Sequence, residues 1–225
     1  MKQPRKHLLC LLLALWLTGV LLAGCAADTA DANADLPVIT VGCDNYPPFT
    51  YVDSDGKPVG IDVELADEAF RRMGYRPEFV TINWAEKNEL LENGVIDCIW
   101  SSFSMSGRAD EYTWAGPYMY SHQVVAVMPD SDIQTLADLA GKTVVAEAGS
   151  AGETAISEDA GLSQAEYISK SVQTDCLMEV AAGTADAAVL DLTLATAMIG
   201  EGTDYANLAI KDELNAEEYG VAFRK

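Results

Sequence analysis

A single guanidinium in a serine-rich stretch is the first group in this 225-residue chain that could do selective chemistry. Arg108 follows Ser101-Ser102-Phe103-Ser104-Met105-Ser106-Gly107, just beyond the apolar run Cys98-Ile99-Trp100. Its planar fork of donors suits a carboxylate, which it can hold by two parallel hydrogen bonds. A surface ion pair with Asp110 or Glu111 is the alternative use, and the local sequence leaves both open. Asp191 closes the run Ala187-Ala188-Val189-Leu190 and opens a helical stretch. A carboxylate there can accept from an ammonium. As an N-cap for residues 192–199 it would serve the helix alone, and locally that is the simpler reading. Tyr46 and Trp84 offer flat apolar walls for a ligand side chain, or ordinary core aromatics. Gly149-Ser150-Ala151-Gly152-Glu153 joins a strand to a helix, where free N–H groups suit an anion. That turn lacks the lysine of a phosphate-binding loop, which disfavours a nucleotide. A free amino acid makes a demanding test ligand: its carboxylate needs a cation, its ammonium an acid, and its side chain an enclosing wall.

Other chemistries find less support. His122 is the only histidine outside the N-terminal leader, so any Ser-His-Asp or Cys-His mechanism has to run through it. Its setting, Ser121-His122-Gln123 ahead of Val124-Val125-Ala126-Val127-Met128, reads as a strand entry and not as a catalytic loop. No CxxC or Cys/His ligand spacing is present, so no metal and no cofactor is expected. Carboxylates are abundant, but no pair has a spacing that singles it out for acid–base work. The formal net charge of −21 repels nucleic acid and anionic headgroups.

The positioning elements follow from apolar periodicity. Val38–Gly42 reads as a strand. Ile61, Leu65, Ala69 and Met73 recur at helical spacing and predict a helix over 61–73, with Gly74 at its C-terminal stop. Arg76–Ile82 reads as a strand, Glu86–Glu92 as a helix and Ile96–Trp100 as a buried strand. The alternation continues through Thr143–Ala146, Ala151–Ala160, Glu166–Ser169, Thr174–Ala182, Asp186–Leu190 and Leu192–Ile199. This rhythm predicts α/β layers with mainly parallel sheets. One pattern occurs twice. A helix, a Gly stop, two residues, an Asp and a buried strand appear at Gly94-Val95-Ile96-Asp97 and again at Gly183-Thr184-Ala185-Asp186. Two such units facing each other would form a cleft at their strand ends, where open α/β sheets bind ligands.

The N-terminus reads as an export leader. Lys2, Arg5 and Lys6 precede an apolar run, Leu8 to Leu22, that is shorter than the roughly 20 residues a membrane span needs. Leu22-Ala23-Gly24-Cys25 resembles the lipobox of bacterial lipoproteins. On that resemblance residues 1–24 are a signal peptide and Cys25 carries acyl chains. Residues 25–35 are then a flexible tether, small and acidic in composition. The folded part begins near Leu36.

In combination these stretches resemble a known family. Tyr46-Pro47-Pro48-Phe49, Gly60-Ile61-Asp62-Val63-Glu64-Leu65, Trp84, Gly94-Val95-Ile96-Asp97 and Arg108 with Gly116-Pro117-Tyr118 come in this order. Gly141-Lys142-Thr143-Val144 leading to Gly149-Ser150, then Gly183-Thr184-Ala185-Asp186 with Asp191, then Glu218-Tyr219-Gly220-Val221-Ala222, complete the set. Together they look like the amino-acid-binding family of extracellular solute-binding proteins of ABC importers. The resemblance implies a two-lobed type II periplasmic-binding-protein-like fold, each lobe a mainly parallel sheet flanked by helices, joined by two hinge strands. It implies lobe one over 36–125, lobe two over 126–215 and a return to lobe one over 216–225, with a C-terminus lacking the family's last helix. Carried over, Arg108 binds the ligand's α-carboxylate and Asp191 its α-ammonium. Tyr46 and Trp84 flank the side chain, and Ser102 and Ser104 add hydroxyl and backbone contacts. Ser150 and Ala151 match the Gly-Thr-Thr turn that helps hold the carboxylate, and Asp44 matches a position that can touch a ligand side chain. Two departures stand out: Ser104-Met105-Ser106-Gly107-Arg108 is one residue shorter than the usual Thr-x-Thr-x-x-Arg, and Ala151 lacks the turn's second hydroxyl. The implied protein is a lipoprotein outside the cell membrane that passes an amino acid to a permease and is not an enzyme. Cleft enzymes of the same fold, the cyclohexadienyl and arogenate dehydratases, and extracytoplasmic sensor modules are the competing readings.

Overall fold

The computed structural model describes residues 35–225. The leader, Cys25 and nearly all of the tether lie outside the described residues. Residues 37–225 form one compact unit.

Two parallel wings flank an antiparallel centre. The first wing holds β1 (Val38–Cys43), β4 (Arg76–Thr81) and β5 (Cys98–Ser104), with β1 paired in parallel to both others. The second holds β7 (Thr143–Glu147), β8 (Glu166–Lys170) and β9 (Ala187–Asp191), with β7 in the same central role. Between them run two 15-residue strands, β6 (Thr113–Val127) and β10 (Ala209–Phe223), paired antiparallel to each other. The order across the sheet is β4-β1-β5-β10-β6-β9-β7-β8. Each long strand serves both wings: β10 pairs with β5 through Tyr219–Phe223, and β6 pairs with β9 through Gln123–Val127. The register between β6 and β10 shifts at three points, as bulges that bend a strand do. A short hairpin, β2 (Tyr51–Val52) and β3 (Pro58–Val59), stands apart and has no counterpart in the sequence reading.

The helices are α1 (Ile61–Arg72), α2 (Lys87–Glu92, entered through a 3-10 turn at Trp84–Glu86), α3 (Ala151–Glu158), α4 (Gln173–Ala181) and α5 (Leu192–Met198). α1 buries Val63, Ala66 and Phe70 and ends at Met73, with Gly74 at φ 82° just beyond. That is the stop the periodicity predicts. Among the described residues no helix is long and apolar enough to cross a membrane.

The twice-occurring pattern has a physical basis. The carboxylate of Asp97 accepts the N–H of Thr40 in β1 at 2.8 Å, and that of Asp186 accepts the N–H of Thr143 in β7, also at 2.8 Å. Each aspartate thus satisfies a backbone donor on the neighbouring parallel strand and fixes where its own strand enters the sheet. Each wing also has its own packing, with Ile82, Leu91, Ile96 and Ile99 in the first and Val127, Leu139, Val144 and Ile156 in the second.

Two expectations need correction. The strand expected at Ile96–Trp100 runs from Cys98 to Ser104, so Ser101–Ser104 are strand residues and not a loop. Antiparallel pairing of Ser104 with Tyr219 and of Phe103 with Gly220 carries β5 that far. His122 lies within β6 opposite Ala216 and not at a strand entry.

Candidate functional site

The C-terminal ends of the wing strands converge on a narrow cavity of about 20 Å³. All nine ligand-binding residues expected from the sequence line it. Asp44 and Tyr46 follow β1, Ser102 and Ser104 belong to β5, Arg108 follows β5, and Trp84 comes from the 3-10 turn. From the second wing come Ser150 and Ala151, at the start of α3, and Asp191, at the end of β9. Ser101, Phe103, Glu147, Gly149, Gln173 and Glu217 also line it and were not anticipated. Glu147 ends β7 as Asp191 ends β9, so applying the strand-end rule to every parallel strand would have found it. Gln173 and Glu217 carry no local signal.

Asp191 does not cap α5 with its side chain. Its Oδ1 accepts from Gln123 Nε2 at 2.8 Å and from Tyr219 Oη at 2.5 Å, and its Oδ2 accepts from Gln173 Nε2 at 2.6 Å. Its own N–H donates to Gln173 Oε1 at 3.0 Å. Three donors from β6, α4 and β10 fix the carboxylate in place. A carboxylate has about four acceptor sites, so one remains for a ligand.

The first wing is held as firmly. Ser102 has φ 48°, an uncommon conformation for a residue with a side chain. Asp62, in the first turn of α1, stabilises it by accepting from Ser102 N–H at 2.6 Å, Ser102 Oγ at 3.2 Å and Tyr118 Oη at 2.9 Å. Burial pushes the Asp62 carboxyl up to about 6 against these hydrogen bonds. Asp44 is fixed through its backbone: its N–H donates to Ser101 Oγ at 3.1 Å and its carbonyl accepts from Thr50 Oγ1 at 2.7 Å. Arg108 stands over the Phe103 ring, 5.5 Å from its centroid, and donates weakly to the Ser104 carbonyl at 3.4 Å. Trp84 meets the same Phe103 ring edge-on, while Tyr46 stacks on Phe49. Both aromatics are therefore core residues and cavity wall at once.

At the β7–α3 turn the N–H groups are already partly used. Gly149 N–H donates to Glu153 Oε2 at 2.6 Å and Ser150 N–H to the Glu147 carbonyl at 3.2 Å, while Ser150 Oγ caps α3 by accepting from Glu153 N–H at 3.2 Å. An anion there would have to meet the N–H groups of Ala151 and Gly152.

Charge is unevenly shared. Four carboxyl groups, those of Asp44, Glu147, Asp191 and Glu217, line the cavity beside the guanidinium of Arg108. Burial, with Asp44 nearby, pushes Glu147 up to about 11; burial, with Asp191 nearby, pushes Glu217 up to about 9; burial also raises Asp44. Lys87 lies just behind, its Nζ donating to Trp84 O at 3.2 Å and Gly149 O at 3.0 Å, and burial lowers its ammonium to about 8.

Two α/β wings, joined by long shared strands and presenting polar groups to a common cleft, define the architecture of a two-lobed binding protein. Residues 39–218 match the bacterial extracellular solute-binding proteins, family 3, and the chain belongs to that family. It is 34% identical over 176 residues to the putative amino-acid ABC transporter-binding protein PatH of Vibrio harveyi, covering 77% of this chain and 69% of that one. It is 28% identical over 228 residues to the arginine-binding extracellular protein ArtP of Bacillus subtilis, covering 98% and 87%. Among solved structures, the arginine-bound form of truncated ArgBP from T. maritima superposes with a TM-score of 0.75 at 33% identity, covering 84% of this chain and 88% of that one. The ancestral amino acid-binding protein AncCDT-1, a precursor of cyclohexadienyl dehydratase, superposes with a TM-score of 0.73 at 28% identity, covering 84% and 82%. The fold is thus the type II periplasmic-binding-protein architecture expected from the sequence.

Proposed function

We propose that this chain is the lipid-anchored substrate-binding component of an ABC importer, capturing a polar amino acid in the cleft and delivering it to the permease. One observation carries the reading: Arg108 and Asp191, from opposite wings, line the same cavity. In this reading Arg108 and the N–H of Ala151 hold the α-carboxylate, and Asp191 takes the α-ammonium at its remaining acceptor site. Tyr46 and Trp84 wall the side chain. Ser102, Ser104 and Ser150 contribute polar contacts, and Asp44 meets the far end of the ligand. Residues 36–125 and 126–215 form the lobes, with 216–225 returning to the first. Closure is favoured by the ligand because only the closed state brings both groups to it.

The likeness to a precursor of cyclohexadienyl dehydratase keeps a cleft enzyme in view. Asp191 is held as an acceptor by three donors and is matched to an ammonium, which prephenate lacks and arogenate carries, so the first substrate fits poorly and the second calls for a direct assay. Incubation with prephenate or arogenate should yield no phenylpyruvate or phenylalanine; turnover of either would replace the transport reading. Anchoring through Cys25 predicts labelling of the expressed protein by an alkyne-tagged palmitate, lost in Cys25→Ala.

The direct test is a thermal-shift panel of the common amino acids. A ligand that binds only the folded state raises the midpoint by mass action. At least one polar amino acid should do so, and Arg108→Ala should abolish the shift. A shift that survives in that variant removes Arg108 from the site.

A further inference from the structure

The cleft holds more acid than a zwitterion needs. With Asp191 assigned to the α-ammonium and Arg108 to the carboxylate, Asp44 and Glu147 remain. They reach the cavity from the ends of β1 and β7, one in each wing, and are 5% and 2% exposed. Both side chains line the same cavity, and the nearness of Asp44 adds to burial in holding the Glu147 carboxyl up. Asp44 Oδ1 and Glu147 Oε1 are buried and take no hydrogen bond from any other side chain or from the backbone. Lys87 lies close enough to Glu147 to lower its carboxyl, yet its ammonium is directed to the carbonyls of Trp84 and Gly149. The remaining charged neighbours add to the repulsion: Asp175 of α4 faces Asp44, and Asp191 faces Glu147. Among the described residues no group of three acids, histidines or cysteines is placed to hold a metal ion.

Two carboxylates this close and this dry cannot both stay ionised without a cation between them, so the empty pair keeps one proton. Building on the amino-acid reading above, we propose that Asp44 and Glu147 form a proton-exchanging subsite for a cationic ligand side chain. The pair holds one shared proton when the cleft is empty and releases it to solvent when a guanidinium or ammonium takes its place. The pair then carries two negative charges against the ligand's one positive charge, and the lost proton accounts for the difference. Glu147 becomes a specificity-determining residue. A neutral side chain brings no charge to replace the shared proton, so it cannot pair with the doubly ionised acids, and a site built for a charged donor discriminates against it.

The test is calorimetric titration of the purified protein with arginine, lysine, citrulline and glutamine, in phosphate and in Tris at pH 7. The two buffers differ in ionisation enthalpy, so the difference in apparent heat counts protons. Arginine or lysine should bind with release of close to one proton. Its affinity should rise about tenfold per pH unit between pH 5.5 and 7.5, as one linked proton requires. Citrulline, matching arginine in shape without its charge, should bind at least a hundredfold more weakly. Glu147→Gln should abolish proton release and narrow the arginine-to-citrulline ratio; Asp44→Asn should do the same and serves if the first variant does not fold. Equal binding of citrulline and arginine, or cation binding without proton release, overturns the subsite. If glutamine binds and Arg108→Ala abolishes it, the amino-acid receptor stands while the subsite falls. If no amino acid binds, both fall.

Discussion

The ammonium of Lys87 donates to the carbonyl oxygen of Gly149 at 3.0 Å, joining α2 of the first wing to the β7–α3 turn of the second. A second bond to Trp84 O at 3.2 Å ties the same ammonium to its own wing. In the closing motion proposed above, this contact would form as the cleft narrows and so would favour closure. The turn is built to admit it: Gly149 has φ 72°, and a Cβ there would come within 2.9 Å of Lys87 Nζ. A hydrogen bond from a charged donor contributes about 1.5–3 kcal/mol. Lys87→Met keeps the stem and removes the donor, and should weaken ligand binding by about tenfold or more. It should also raise the radius of gyration of the ligand-free protein in small-angle scattering. In the wild type the tie should weaken as pH rises through about 8, where the ammonium loses its proton. An unchanged radius and affinity in Lys87→Met would show that the bond does not contribute to closure.

Asp62 offers a pH signature of opposite origin. Its carboxyl is raised from 3.8 to about 6, chiefly by burial. Between those values the folded protein binds more protons than the unfolded chain, so stability falls as pH rises from about 4 to 6, by roughly 3 kcal/mol at 1.36 kcal/mol per unit. Asp62→Asn keeps an acceptor for Ser102 and Tyr118 and in denaturant titrations should make the slope shallower by this one group's share, leaving the share that the raised Asp44, Glu147 and Glu217 carboxyls contribute over the same range. Asp62→Ala leaves Ser102 at φ 48° with its N–H unsatisfied and should cost about 2–4 kcal/mol. A slope as steep in Asp62→Asn as in the wild type assigns it wholly to the other carboxyls.

What the sequence makes legible, and what it hides, follows from the range of the interactions. Apolar periodicity locates nearly every parallel strand and every helix, because each buries one face against a neighbouring layer. The β2–β3 hairpin escapes because its strands are two residues long and largely exposed. The end of β5 is missed because pairing with Tyr219, far along the chain, sets it. At the site, Arg108 and Asp191 stand out as charges beside apolar runs, though either has a plausible local use. The resemblance to a family implies a common site for them, and both residues line one cavity in the structure. Glu217 and Gln173 stay hidden because only the crossing of β10 and the start of α4 bring them to the cleft. The pairing of Asp44 with Glu147 is invisible in sequence, since the two lie 103 positions apart and only the fold brings them to one cavity.

The thiols should be chemically silent. Cys43, Cys98 and Cys176 are free and buried, and burial pushes each up to about 12, so almost no thiolate exists at neutral pH. Cys43 and Cys98 sit on adjacent strands, but the register sets Cys98 opposite Val41, two residues short of Cys43. Iodoacetamide at pH 7.5 followed by peptide mapping should leave all three positions unmodified in the native protein and modify all three in urea. Rapid native labelling at Cys43 would show that the end of β1 opens.

Gly152, in the first turn of α3, connects helix packing to ligand geometry. A Cβ there would meet the carbonyl oxygen of Val189 at 2.9 Å and Gln123 Oε1 at 3.0 Å. The first contact is backbone of β9 and cannot swing aside. The second is the amide whose Nε2 donates to both Asp191 and Glu217. Gly152→Ala must therefore push α3 away from β9, turn the Gln123 amide, or both. Overpacking of this kind costs about 1–3 kcal/mol. Because Gln123 holds Asp191, ligand affinity should fall together with the unfolding midpoint. Gly183→Ala provides the comparison: it sits at φ 72° with nothing within 4 Å of the added Cβ, so it should lose about 1–2 kcal/mol of stability through backbone strain alone. Its affinity should be unchanged. If both variants lose stability and neither loses affinity, Gln123 tolerates displacement and Asp191 is held sufficiently by Tyr219 and Gln173.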